Sequence, residues 1–121
     1  DHVGKEARKQ SSLLIIRKIK EIVGEQPAVL TGDFNITDQT EAYHTLVSNE
    51  FVLLDAHKVA EKTAGASYTY HGYATVAPEK CSKIDFVFVT PNIKVLHSEI
   101  TPEVKEASLS DHNPQWTDLE F

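Results

Sequence analysis

The stretch Ile84-Asp85-Phe86-Val87-Phe88-Val89-Thr90 limits the fold more than any other part of the chain. Its apolar pattern is nearly continuous, which marks a strand covered on both faces. The chain must therefore build layers on either side of it. The one break is Asp85. A carboxylate in such a place is paired, hydrogen-bonded or metal-bound. An isolated buried charge costs several kcal/mol, on the order of what sustains a whole domain.

A second strand candidate, Ala28 through Thr31, ends in Gly32-Asp33-Phe34-Asn35. Ligands of open α/β sheets collect at the carboxyl ends of strands. Asp33 and Asn35 lie two apart, so in an extended segment they face one side while Phe34 turns to the core. Gly32 either leaves room for a substrate or serves a backbone with unusual dihedrals. A third polar insertion, Asp111-His112, lies in the loop Ser108 to Asn113. A lone Asp at a strand end is usually a turn or cap residue. Asp85 resists that reading, and His112 is its natural partner. An Asp that accepts from one imidazole nitrogen fixes the tautomer and stabilises the imidazolium. Asp111 can ligate a hard cation such as magnesium, which takes one or two carboxylates plus waters.

Around these points the chain reads as alternating helices and strands, then strands in succession, an α/β layered sandwich with a mixed sheet. Lys5 to Val23 is an amphipathic helix: Leu13, Ile16, Ile19 and Val23 recur at helical spacing, and Leu14, Ile15 and Ile22 widen the stripe. Gly24 is its C-terminal cap. Thr37 or Asp38 caps a second helix with Ala42, Leu46 and Val47 on its apolar face. Phe51 to Leu54, Ser67 to Tyr70, Ile93 to Ile100 and Gln115 to Phe121 are further strands, and Asp55 to Lys62 is a polar helical turn. Trp116 is expected in the core.

At 121 residues this is one domain at most. The net charge of -6 goes with no basic stripe of the kind nucleic-acid binders carry. Lys5, Arg8, Lys9, Arg17, Lys18 and Lys20 read as the wet side of one helix, with Arg8 paired to Asp1 or another acid. An acidic site suits divalent cations, and through them phosphate. The single cysteine, Cys81, allows no intrachain disulfide, and no apolar run reaches membrane-spanning length. The absence of methionine suggests a piece of a longer protein.

Three motifs together resemble the endonuclease/exonuclease/phosphatase superfamily, the fold of pancreatic deoxyribonuclease. They are Thr31-Gly32-Asp33-Phe34-Asn35, Lys83-Ile84-Asp85-Phe86-Val87-Phe88-Val89 and Ser110-Asp111-His112-Asn113-Pro114, in that order. Asp1-His2 with Glu6-Ala7-Arg8 resembles the segment after the family's Asn-Thr-His strand. Tyr68-Thr69-Tyr70-His71-Gly72-Tyr73 resembles an aromatic loop ahead of its Ile-Asp strand. Members are roughly twice this length, a four-layer sandwich of two packed sheets. The resemblance thus implies the C-terminal half of such a domain. The absent half would bring an Asn, a metal-binding Glu and an upstream His or Tyr. The exposed sheet face then calls for that N-terminal half or a second copy.

The resemblance also implies hydrolysis of phosphate esters with Mg2+ or Mn2+. Asp33 orients or deprotonates the attacking water, and Asn35 donates to the phosphate or holds Asp33. Asp111 serves the metal, His112 donates to a non-bridging oxygen, and Asp85 orients His112. Tyr70, His71 and Tyr73 either bind substrate by stacking or pack the rim. The substrate class spans nucleic acid, lipid headgroups and small phosphodiesters. The inositol phosphatase branch, with its Pro-Ala-Trp-Cys-Asp-Arg signature, is disfavoured by Glu79-Lys80-Cys81-Ser82-Lys83-Ile84-Asp85. The parent is expected to be an enzyme and the isolated chain inactive; the alternative is a half-fold kept for binding or self-association.

Overall fold

The computed structural model describes residues 2–48, 53–102 and 109–121. The elements are α1 (His2–Val23), β1 (Val29–Asp33), α2 (Glu41–Val47), β2 (Leu54–Asp55), α3 (Ala56–Val59), β3 (Lys62–Gly65), β4 (Asp85–Val89), β5 (Lys94–Ile100) and β6 (Gln115–Glu120), with a 3-10 turn at Pro78–Lys80. They form two three-stranded sheets, ordered β1-β4-β2 and β3-β5-β6. The first is antiparallel throughout. The second pairs β3 with β5 in parallel and β5 with β6 antiparallel. Mixed pairing therefore belongs to the second sheet alone.

β4 lies in the middle of its sheet and is covered on both faces, as its sequence requires. Phe86 and Phe88 pack against Ile16 of α1, Ala42, Tyr43 and Leu46 of α2, and Leu53. Val87 and Val89 point the other way, toward Ala56, Ile93 and Val95, with Leu119 of β6 against them. Strand alternation thus produces two cores, one between helices and sheet and one between the two sheets. Asp85 shares the face of Val87 and Val89, so its carboxylate opens toward the gap between the sheets.

α1 ends at Gly24, whose φ of 57° is left-handed and whose N–H donates to Lys20 O at 3.1 Å. Lys5, Arg8, Arg17, Lys18 and Lys20 are exposed as expected, and Lys9 pairs with Glu41 at 2.7 Å. The apolar stripe is wider than its cover: Ile16 is buried, while Leu14 and Ile22 stay 49% and 78% exposed. The α2 cap is Thr40, whose side chain accepts from Tyr43 N. Asp38, an expected cap, is instead held by Lys58 at 2.9 Å and by the Gln39 amide.

Several strand expectations change. Phe51 and Val52 lie outside the described residues, as do Asp1 and Ser108, and Leu54–Asp55 forms β2. Ser67 to Tyr70 is no strand: Tyr70 makes only isolated bridges, to Ser82 and His112. β3 arises instead at Lys62–Gly65, a polar, fully exposed run with no apolar alternation to announce it. It is set by β5, and Gly65 is required there: a Cβ would meet Ile100 O at 1.9 Å. Trp116 is not core. It is 46% exposed, stacked on His97 at 4.8 Å with its Nε1–H donating to Glu99 Oε2 at 3.2 Å. No helix among the described residues is long and apolar enough to cross a membrane.

Candidate active site

The antiparallel register places Asp33, the last residue of β1, directly opposite Asp85, the first of β4. Opposed residues of an antiparallel pair project on one face, so the two carboxylates stand together. Gly32, beside Asp33, carries no left-handed φ, and an added Cβ would meet only the Phe34 ring at 3.7 Å. Of its two sequence readings, open space remains and special dihedrals are excluded. Both Gly32 and Asp33 line a cavity of about 700 Å³ with His71, Asp85, Ser110, His112, Asn113 and Gln115.

His112 reaches the carboxylates from the loop before β6. Its Nδ1 lies 2.7 Å from Asp85 Oδ2, both side chains being 24% exposed. Its Nε2 faces Asp33 Oδ2 at 3.7 Å and Asp111 Oδ1 at 4.0 Å. An Nδ1–H held by Asp85 fixes the ring so that Nε2 looks into the cavity. Burial works against the imidazolium. The Asp85 hydrogen bond and the charges of Asp85, Asp33 and Asp111 outweigh it and hold the His112 pKa above the ordinary 6.5. A raised histidine pKa stabilises the fold fully below 6.5, and the benefit fades as pH rises through the folded value. Urea midpoints taken from about pH 5 to 9 should therefore show wild type ahead of Asp85→Asn by most at the acid end of that window.

Loop and strand are joined by a residue that the sequence reading passed over. Thr69, fully buried, accepts from Ile84 N and Asp85 N at 3.0 and 3.2 Å through Oγ1, and its carbonyl accepts from Asn113 N at 2.6 Å. One threonine thus aligns the strand of Asp85 with the loop of His112. Thr69→Val keeps the shape and strands two amides; the expected cost is about 1–3 kcal/mol by urea unfolding. Its only sequence signal was a small hydroxyl between two tyrosines, Tyr68 and Tyr70.

The remaining candidates are placed as follows. Asn35 is not extended: its φ is 51°, and its N–H donates to Asp33 Oδ1 at 2.9 Å. The strand stops at Asp33, so the same-face argument fails. In its place is a tight turn in which the Asn35 backbone steadies the carboxylate. Phe34 does turn to the core, edge-on to Phe86 and Phe88 at 6.1 and 5.4 Å. Asn35 and Asp33 also border a cavity of about 420 Å³ with Arg8, which forms no ion pair among the described residues. Tyr70 sets its ring edge on His112 at 5.3 Å. His71 is 3% exposed and accepts from Ala74 N at 3.2 Å through Nδ1. Its backbone N–H and that of Gly72 both donate to Asp111 O, at 3.0 and 3.2 Å. Tyr73 is 58% exposed on a turn where Gly72, Tyr73 and Ala74 all have positive φ. Cys81 takes no part; its thiol bonds the carbonyls of Val76 and Ala77.

Ligand atoms of Asp33, Asp85 and His112 lie within 4.8 Å of one another, a grouping able to hold a metal ion. Asp85 already accepts from the His112 Nδ1–H. Asp111, the metal candidate in the sequence, lies outside that group, its Oδ1 4.0 Å from His112 Nε2.

The sequence profile described as the Endonuclease/Exonuclease/phosphatase family matches residues 7–112. No curated protein matches the chain significantly. Among solved structures, an endonuclease/exonuclease/phosphatase from Bacteroides vulgatus is 62% identical with a TM-score of 0.94, over 99% of this chain and 46% of that one. A mannosyl-6-phosphatase from Bacteroides thetaiotaomicron is 32% identical with a TM-score of 0.83, over 100% of this chain and 48% of that one. A family protein from the same organism is 31% identical at 0.83, over 98% and 46%. By profile and by structure, then, the chain belongs to the endonuclease/exonuclease/phosphatase family and spans just under half the length of these solved relatives.

Proposed function

We propose that the chain carries the water-activating and phosphate-binding half of a metal-dependent phosphoesterase. The observation that carries this reading is the His112–Asp85 contact at 2.7 Å, which aims Nε2 at Asp33 beside the cavity. A phosphate ester is anionic and repels nucleophiles, so its hydrolysis needs positive donors on the phosphate and an acceptor for the proton of water. Protonated His112 donates to a non-bridging oxygen, where charge grows in the transition state. Asp85 keeps that donor aimed. Asp33 takes or orients the proton of water, held by the Asn35 amide. Asp111, with Asp33, would hold Mg2+ or Mn2+, which neutralises phosphate charge and acidifies bound water. His71 lines the cavity, and in this reading it contacts the rest of the substrate together with Tyr70 and Tyr73 of the same loop. The net charge of -6 and the mannosyl-6-phosphatase among the relatives favour a small phosphate ester over duplex nucleic acid.

The test is hydrolysis of mannose 6-phosphate, p-nitrophenyl phosphate and bis-p-nitrophenyl phosphate with and without Mg2+ or Mn2+. It uses this chain alone and this chain joined to the complementary half of the Bacteroides vulgatus relative. Turnover by the joined protein that survives Asp33→Asn at full rate would falsify the assignment.

A second reading takes the chain as a half-fold kept for association. It is favoured by the 46–48% coverage of the relatives and by exposed Leu14, Ile22, Val29 and Trp116. Light scattering after size exclusion reports a self-associating copy; mixing with the complementary half reports the other occupant. A strictly monomeric chain that ignores that half rules this reading out.

A further inference from the structure

The peptide group of Asp85 is held by side chains rather than by a strand. Phe34 N donates to Ile84 O at 2.9 Å, so the β1–β4 ladder alternates and turns the N–H and C=O of Asp85 away from β1. On that far side β2 pairs only with Phe88 and Val89. By the level of Asp85 the chain of β2 has already wound into α3. The two groups left over are met by Thr69 Oγ1, which accepts from Asp85 N at 3.2 Å, and by Lys83 Nζ, which donates to Asp85 O at 2.7 Å.

Lys83 is an unusual choice for this task. Its ammonium lies 3.8 Å from the centre of the Phe86 ring, and among the described residues it forms no ion pair with a carboxylate. Burial pushes its pKa down to about 8, against the pull of Asp55 and Asp85. A cation taken out of water with no carboxylate in direct contact is costly, and an apolar residue would fill the same space over Phe86 more cheaply. What an apolar residue lacks is a donor for the Asp85 carbonyl.

We propose that Lys83 is a positioning residue: it stands in for the missing strand, fixes the peptide plane of Asp85 and thereby aims the Asp85 carboxylate at His112. The proposal rests on the reading of Asp85 and His112 as the phosphate-handling pair. Lys83 lies outside the lining of the cavity that holds Asp33, Asp85 and His112 and borders a separate one of about 470 Å³ with Asp38, Asp55 and Lys58, so it reaches His112 only through Asp85. Lys58, the neighbouring lysine, pairs with Asp38 and has no such role.

The test follows the His112 Nδ1 proton by NMR in this chain, with neither metal nor substrate present. In wild type this proton is held by Asp85 at 2.7 Å and should exchange slowly with solvent. Lys83→Met keeps the stem and removes the donor, and should speed that exchange at least ten-fold. Lys83→Arg restores a donor and should return it to within about two-fold of wild type. Methyl signals of Leu46 and Leu53, across the Phe86 core, report that the fold is intact. Should Lys83→Met not fold, Lys83→Leu, which likewise carries no donor, gives the same reading. Exchange at the wild-type rate in a folded Lys83→Met or Lys83→Leu variant overturns the proposal. Because no turnover is measured, a failed hydrolysis assay overturns the functional reading and leaves the Lys83 result standing.

Discussion

His112→Ala, in the joined protein that turns over a phosphate ester, lowers kcat by about 10²–10³ with a smaller change in KM, the range seen when one preorganised donor to a developing oxyanion is lost. The reason lies in the geometry of a single ring. Nδ1 is spent on Asp85 and Nε2 faces the place where Asp33 and Asp111 converge. On the proposed reading, a phosphate drawn into that cavity meets the His112 ring as a donor fixed in place by Asp85. Alanine removes the donor and also leaves Asp85 without its partner. Asp85→Asn separates the two effects: the ring stays, its partner becomes neutral, and the acid-side gain in stability flattens. If His112→Ala retains more than half of wild-type kcat, the phosphate is handled elsewhere.

The second large effect is structural. Phe88→Ala should cost about 3–5 kcal/mol, read from urea unfolding, which is a large share of the 5–15 kcal/mol typical of a domain. Phe88 has no exposed surface. Its ring stacks on Phe86 at 5.4 Å, takes Phe34 edge-on at 5.4 Å and lies 6.0 Å from Tyr43. The loss therefore reaches α1 and α2 together, and it also unsettles the turn that follows Asp33, because Phe34 uses Phe88 as its wall. By contrast Trp116, larger but half exposed on the outer face of the second sheet, should tolerate alanine at a fraction of that cost.

β4 was legible because burial on both faces leaves an unbroken apolar run, and the run makes its one carboxylate conspicuous. The trio Asp33, Asp85 and His112 was legible for a related reason: Asp33 and Asp85 are charged groups where an apolar strand ends or begins, and His112, in the polar loop before β6, is the titratable partner such a carboxylate calls for. Residues that act through backbone groups left no such mark. Thr69 and Lys83 each satisfy peptide groups of Asp85, and nothing in their own neighbourhood in sequence says that a strand will fall short there. Asn35 misled for the opposite reason. Extended geometry was assumed to continue past Asp33, whereas the short side-chain acceptor captures the Asn35 N–H and turns the chain at once. β3 escaped notice because its register comes from β5 and not from any alternation of its own.

The two carboxylates that face each other across the first sheet sit on unequal footings. The alternating ladder that sends the peptide of Asp85 into the grip of Thr69 and Lys83 sends that of Asp33 outward, along a strand bordered by β4 alone among the described residues. Amide deuteration should accordingly take the outward N–H groups of Val29, Thr31 and Asp33 early and leave those of β4 for last. Asp33 thus rides on the sheet's selvage, its histidine-bound counterpart on the warp, and whatever settles along that border governs how firmly Asp33 is held.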